Sequence, residues 1–240
     1  MGDTKLTFKR YEKKYLVTPD VYPLLMERLL PYIEPDEYHE STVSSVYYDR
    51  SDFWLIRRSL DRPIYKEKLR VRGYNCPGPQ DQVFVELKKK YKGIVYKRRV
   101  RMREEEATAW LAGEAPPPED SQMTREIAWF LHENRPAPKA LIACDRTSWR
   151  AKDNDELRIT FDRDIRWRES DLRLSCGDRG EILLPDGRLL MELKIPGAAP
   201  LWLAHLLSES RLFPTSFSKY GICYMDNLLQ ESGKGEMFCV

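Results

Sequence analysis

The sequence predicts an α+β fold: a closed, antiparallel, eight-stranded β-barrel with helices packed outside, built from residues 1–240 as a single domain. Three observations carry that expectation. Between Ile64 and Arg103, three consecutive runs rich in β-branched and aromatic residues are separated by turn signals at Gly73 to Pro79 and around Gly93. About eight runs along the chain have one polar and one apolar face, and closing such strands on themselves removes exposed sheet edges. Segments of helical periodicity between the runs supply cover for the apolar faces.

The elements follow in order. Leu6 to Val17 reads as the first strand, with Arg10, Glu12 and Lys14 on one face. Thr18-Pro19-Asp20 then offers an N-cap and a proline at the first helical position, Val21, Leu24, Leu25, Arg28 and Leu29 follow at helical spacing, and Pro31 ends the run. Ser41 to Tyr48 is a second strand, and Asp49 to Leu60 a short helix capped by Asp49 or Ser51. The three central strands come next. Glu104 to Gly113 begins with acids and ends at glycine, as a helix should. A proline-rich connector, Glu114 to Pro118, leads to a helix over Ser121 to Asn134 with Ile127, Phe130 and Leu131 on its buried stripe. Trp110 and Trp129 read as helix packing. Ala140 to Arg150 and Glu156 to Asp162 are strands, Arg163 to Arg173 is charged and turn-like, and Asp178 to Gly187 holds two turn signals. Leu189 to Ile195 is the last clear strand, and helices over Leu201 to Ser210 and Ser218 to Gln230 close the chain.

Composition narrows the function classes. The 42% apolar and 32% charged content is ordinary for a globular protein, and the net charge is only +2. Any basic site must therefore arise by clustering. Five cysteines without a CxxC argue against a disulfide framework or zinc site and for a reducing compartment, while the three isolated histidines read as structural. The amino terminus lacks an apolar signal region, and no apolar run approaches ~20 residues. The expectation is a cytoplasmic domain whose membrane attachment, if any, comes from a membrane-protein partner.

The clustering sits on the central strands. Lys66, Lys68, Arg70 and Arg72 share one face of the first run, Glu86, Lys88 and Lys90 one face of the second, and Lys97, Arg99, Arg101 and Arg103 one face of the third. Like charges on neighbouring strands destabilise a sheet, by ~3 kcal/mol per pair before screening at ~6 Å and an effective dielectric of ~20. A face so one-sided calls for a polyanion. With Arg10, Lys14, Arg146, Arg158 and Lys194 on other strands, and few acids (Glu12, Glu86, Asp162 and Glu192), a lumen of this kind suits a phosphate chain with a divalent metal. There is no GxxxxGK[ST] loop, and no nucleophile–base pairing is suggested by order or composition. Nucleic acid is not expected, because Tyr65, Tyr91 and Tyr96 alternate away from the cations.

Six segments then carry a resemblance: R-Y-E-K-K-Y at Arg10 to Tyr15, K-L-R-V-R at Lys68 to Arg72, V-F-V-E-L-K at Val83 to Lys88, Y-K-R-R at Tyr96 to Arg99, L-M-E-L-K at Leu190 to Lys194 and F-S-K-Y-G at Phe217 to Gly221. In this order they resemble the VTC domain, the polyphosphate-polymerase domain of the vacuolar transporter chaperone family within the triphosphate tunnel metalloenzymes. The resemblance implies a tunnel that binds ATP, triphosphate or polyphosphate with Mn²⁺ or Mg²⁺ and passes the γ-phosphate of ATP to a polyphosphate chain. It implies catalytic contacts from Lys14, Arg70, Arg72, Lys97, Arg99, Arg146, Arg158 and Lys219. Further substrate contacts would come from Arg10, Lys68, Lys88, Lys194 and Ser218. Glu192, Glu86 and Glu12 would form the metal shell. The superfamily opens on E-x-E-x-K, whereas this chain has Arg10 at the first position, which suits the polymerase branch over a triphosphatase. A triphosphatase or polyphosphatase, and a non-catalytic polyphosphate- or nucleotide-binding module, remain the alternatives. Eukaryotic members add an SPX sensor and a membrane segment; neither pattern is expected here, so coupled translocation is not carried over.

Overall fold

The structure, a computed structural model, describes residues 10–92 and 94–229. Among the described residues nine strands form an antiparallel sheet: β1 (Arg10–Val17), β2 (Ile33–Asp49), β3 (Tyr65–Tyr74), β4 (Gln82–Tyr91), β5 (Ile94–Arg103), β6 (Ala137–Ala151), β7 (Arg158–Arg168), the two-residue β8 (Glu181–Ile182) and β9 (Leu189–Pro196). The helices are α1 (Val21–Leu29), α2 (Trp54–Leu60), α3 (Glu104–Leu111), α4 (Gln122–Asn134), α5 (Leu201–Glu209) and α6 (Lys219–Cys223), the last continuing as a π-helical turn over Tyr224–Leu228. The hydrogen-bonded order is β1-β9-β7-β6-β2-β3-β4-β5, with β8 on β7.

The antiparallel sheet with helices is as expected, but its closure by hydrogen bonds is not seen: among the described residues no ladder joins β1 to β5. Strand β5 carries Lys97, Arg98, Arg99, Arg101 and Arg103, a density of like charge that keeps a sheet edge from accepting another strand. Among the described residues no helix is long and apolar enough to cross a membrane.

The chain forms two compact units, passing between them at Ser41/Thr42, Cys144/Asp145, Asp164/Ile165, Leu183/Leu184 and Phe217/Ser218. The first unit holds β1, α1, β9, α5 and parts of β2, β6 and β7. Its core joins Tyr15, Val17, Leu25, Leu29, Ile159, Phe161, Met191, Leu193, Leu203 and Leu206, so α1 and α5 bury the apolar face of the strands. The second unit holds β3 to β5, β8, α2, α3, α4, α6 and the remaining strand parts. Here Ala107, Trp110 and Leu111 of α3 and Ile127 and Phe130 of α4 pack on Leu69, Val71, Val83, Val85, Leu87, Val100 and Met102. Full burial contributes ~1.5–3 kcal/mol per large apolar side chain, so these seven strand residues contribute on the order of 10–20 kcal/mol. That exceeds the repulsion between cations on the opposite face once screening is counted.

Several boundaries differ from expectation for local reasons. Strand β2 begins at Ile33 although I-E-P-D-E-Y-H-E looks unlike a strand, because pairing with β6 satisfies its backbone without apolar burial. His39 there donates from Nδ1 to the Ser148 carbonyl at 2.9 Å and sits edge-on to Trp149, a structural role. Helix α1 starts at Val21, where the Thr18 carbonyl accepts from the Val21 and Tyr22 amides. Helix α2 starts only at Trp54, yet Asp49 still caps it: its carboxylate accepts from the Leu55 and Ile56 amides, both at 3.0 Å, and from Arg50 at 2.8 Å. Trp129 is 68% exposed, so it does not pack in the core, whereas Trp110 does. Strand β7 runs on to Arg168 through a stretch expected to turn, with Ile165 and Trp167 buried between its charges. The Arg168 guanidinium donates to carbonyls of Ser170, Asp171, Arg173, Gly177 and Arg179, and so holds the following loop. Residues 6–9 of the expected first strand, and Gln230, lie outside the described residues.

Asp49 is fully buried, and burial pushes its carboxyl up against the lowering effect of its amide donors. Asp49→Ala strands those donors and should cost about 3 kcal/mol, with a melting temperature lower by roughly 10 °C in a calorimetric scan. Asp49→Asn should recover only part of that loss, because one oxygen still accepts from the Arg50 and Leu55 amides while its NH2 group meets the Ile56 amide and the Tyr220 hydroxyl, both donors.

Candidate functional site

The second unit brings the cations of β3, β4 and β5 into rows three abreast. Cross-strand register aligns Arg72–Phe84–Arg101, then Arg70–Glu86–Arg99, then Lys68–Lys88–Lys97. Glu86 occupies the centre and is 1% exposed. Its Oε2 accepts from Arg70 Nε and Nη2 at 2.8 and 2.7 Å. Its Oε1 accepts from Arg99 Nε at 2.7 Å and lies 2.6 Å from Lys97 Nζ. Burial alone would raise the Glu86 carboxyl, but Arg70, Arg72 and Lys97 overcome it and hold the group well below the usual carboxylate range. Burial also lowers Lys97, helped by the charges of Arg99 and Arg70 and opposed by Glu86. One carboxylate thus serves three cations.

The surrounding groups feel the same field. Arg72 donates to Ser45 Oγ at 3.3 Å, and Arg99 lies over the Phe84 ring at 4.2 Å. Burial pushes the Tyr47 and Tyr74 hydroxyls up, yet Arg70, Arg72 and Lys219 around Tyr47, and Arg72 and Arg99 around Tyr74, hold both below the ordinary tyrosine range. Helix α6 adds the F-S-K-Y-G segment. Ser218 caps it by accepting from the Gly221 amide at 3.2 Å and also accepts from Lys68 Nζ at 2.9 Å. Gly221 allows a close approach at that turn: a Cβ there would lie 3.2 Å from both Ser218 Cβ and Leu60 Cδ2, so the neighbours would have to shift to admit it. Of the residues expected from the sequence, the second unit therefore gathers Lys68, Arg70, Arg72, Glu86, Lys88, Lys97, Arg99, Ser218 and Lys219.

The first unit has a different electrostatic pattern. Lys14 pairs in register with Glu192, and Glu12 with Lys194. Lys14 Nζ donates to the Phe217 carbonyl at 3.0 Å and lies 3.3 Å from Glu192 and 3.7 Å from Glu12. On β7, Thr160 faces Glu192 and Arg158 faces Lys194. Arg146 makes a two-point contact with the fully buried Asp162, at 2.6 and 2.8 Å, and Arg158 lies 3.3 Å from Asp36. Arg10 occupies the register position opposite Pro196.

Among the described residues no group of three His, Cys, Asp or Glu side chains is gathered for a metal. The expected metal set divides on chemistry. Glu12 and Glu192 both reach one point, now taken by an ammonium, and the buried Thr160 hydroxyl beside Glu192 has no hydrogen-bond partner. Hard oxygens around a displaceable cation fit Mg²⁺ or Mn²⁺. Glu86 does not fit, because both of its oxygens are committed to cations that would repel a metal ion. The sequence reading missed Tyr47, Tyr220, Thr160 and Asp36; the polar alternation Ser45, Tyr47, Asp49 along β2 was the available signal for the first.

Glu86→Gln leaves three cations around a neutral amide and should destabilise the protein by about 3–5 kcal/mol in urea melts. Tripolyphosphate should restore much of that loss by binding the folded state. Because the folded carboxyl titrates below its unfolded value, its contribution is complete above the ordinary glutamate range and is lost as pH falls below it. The wild type should therefore lose stability progressively below about pH 4–5, and Glu86→Gln should lose less over that window.

Comparison with known proteins follows the same lines. The family model described as the VTC domain matches residues 9–226. Subunit 4 of the vacuolar transporter chaperone complex of Trypanosoma cruzi is 24% identical over 203 residues, covering 66% of this chain and 25% of that protein. The subunit 4 of Trypanosoma brucei brucei is 24% identical over 212 residues, covering 70% and 27%. This chain thus spans about a quarter of the length of these relatives. A crystal structure of a proposed adenylate cyclase from Bacillus halodurans superposes with a TM-score of 0.54 at 14% identity, covering 86% of this chain and 92% of that one, a likeness of fold alone. With the match running through every strand that carries the cations, the chain belongs to the VTC domain family.

Proposed function

We propose that the chain is a metal-dependent polyphosphate polymerase, an ATP:polyphosphate phosphotransferase acting in the cytoplasm. The observation that carries this reading is the cationic face of β3 to β5, where Glu86 serves Arg70, Lys97 and Arg99 at once. Such a face is short of negative charge, and a linear phosphate chain supplies it along its length. Arginine forks take pairs of phosphate oxygens while lysines act as point charges. In this reading Arg70, Arg72 and Arg99 orient the phosphates. Lys68, Lys88, Lys97 and Lys219 offset charge developing on the transferred group and on the leaving ADP, and Ser218 steadies Lys68. Lys14, Arg10, Arg146, Arg158 and Lys194 are assigned further phosphate contacts. No protein nucleophile is required, because the terminal phosphate oxygen of the acceptor is already ionised; positioning and charge stabilisation do the chemistry.

Glu192 and Glu12, with the Thr160 hydroxyl, are the residues proposed to hold Mn²⁺ or Mg²⁺, and a bound divalent ion there would neutralise phosphate charge. Glu86 is left out of that set and given the role of holding its three cations. The relatives are named as subunits of a complex, which supports proposing protein partners for this chain, including one that supplies membrane attachment.

Purified protein given ATP and Mn²⁺ should accumulate long polyphosphate together with ADP. Free phosphate without polymer would establish the hydrolase instead, and intact ATP despite measurable binding would make the chain a binding module. Glu192→Gln should abolish metal-dependent turnover and keep most tripolyphosphate binding; unchanged turnover would overturn the metal assignment.

A further inference from the structure

Tyr47 was not expected at the site, yet the structure puts it there. It lies opposite Arg70 in the β2–β3 register, and its hydroxyl oxygen accepts from Arg70 Nη1 at 3.2 Å. The side chain is only 8% exposed. Accepting from Arg70 uses a lone pair and leaves the hydroxyl proton to donate, but the charged groups acting on it are Arg70, Arg72 and Lys219, none of which can accept. A buried donor without an acceptor costs about 1–3 kcal/mol.

The ring cannot turn away to find one. It stacks on Tyr220 with centroids 4.8 Å apart and planes 11° from parallel. Tyr220 is itself held at its far end, where its hydroxyl donates to Asp49 Oδ2 at 3.2 Å. Asp49 in turn is fixed by the amides at the start of α2. Among the described residues, the chain Asp49–Tyr220–Tyr47 therefore presents an O–H without an acceptor within a cluster of cations.

We infer that Tyr47 is a ligand-binding residue: its hydroxyl donates a hydrogen bond to a non-bridging oxygen of the bound phosphate chain, with Tyr220 as the positioning residue that holds its ring. The inference rests on the polyphosphate reading above. A neutral donor among cations adds direction that point charges lack, and the neighbouring guanidiniums strengthen it by drawing electron density from the phenol.

The test measures tripolyphosphate binding by calorimetry without metal or turnover. Tyr47→Phe keeps the stacked ring and should retain the wild-type melting temperature within a few degrees, while affinity falls about tenfold or more. Tyr220→Leu should weaken binding too, with a lower melting temperature. A second readout is tyrosinate absorbance at 295 nm, compared between wild type and Tyr47→Phe so that the Tyr47 step is separated from that of Tyr74. Saturating tripolyphosphate should move the step that Tyr47→Phe removes to higher pH, because the bound anion offsets the cations and accepts the hydroxyl proton's hydrogen bond. Equal affinity in wild type and Tyr47→Phe, or a 295 nm titration indifferent to the ligand, overturns this inference and leaves the polyphosphate reading standing. Failure of the wild type to bind tripolyphosphate at all overturns both.

Discussion

The second unit depends on one buried carboxylate. Two oxygens of Glu86 accept from or contact Arg70, Arg99 and Lys97, in a row where strand pairing would otherwise set cations directly against one another. A carboxylate in this setting stays ionised despite its burial, because protonating it would leave three cations without an internal counter-charge. It is nonetheless too little charge for the face. Lys68, Lys88 and Lys97 remain aligned as a row of like charges, and two tyrosines on the same side are held below their usual range. The deficit is tolerated because the reverse of the same strands is buried under α3 and α4. Apolar packing sustains an electrostatic arrangement that would not hold by itself.

The first unit is organised on the opposite principle. Lys14, Arg146 and Arg158 each meet a carboxylate, from Glu12 and Glu192, from Asp162 and from Asp36. Local charge is nearer balance there than on the face of β3 to β5. What stands out instead is the pair of carboxylates converging on Lys14 beside an unsatisfied buried hydroxyl. Two clusters that look alike in sequence, both Lys/Arg with an occasional Glu, thus differ in charge balance: one sets a single carboxylate among several cations, the other matches its cations with carboxylates.

The aromatic residues show a third kind of dependence. Tyr220 belongs to the F-S-K-Y-G segment, whose Ser218 and Lys219 were legible as polar contacts, but its own work is to tie α6 to Asp49 and to the Tyr47 ring. Asp49 likewise has two duties, capping α2 through its amides and accepting from Tyr220. The local start of one helix and the placement of another are coupled through a single buried side chain.

Period-two alternation made β3, β4 and β5 and their cationic face readable from the chain alone, since side-chain direction along a strand is fixed by the pleat and needs no partner. The helices over 104–111 and 122–134 were readable for the same reason, through local caps and spacing. Strand β2 before Ser41 and strand β7 beyond Asp162 were hidden, because pairing with neighbouring strands extends them through stretches dominated by charged and polar residues. Pairing partners were beyond the sequence as well. Which carboxylate meets which cation depends on register between distant strands, so Glu86 looked like a metal ligand until its three cations were in place, and Asp36 and Thr160 gave no sign of their neighbours. The sequence by itself determined the charge on each face; only the tertiary structure decided how that charge is shared, because cross-strand register sets distances that no linear spacing contains.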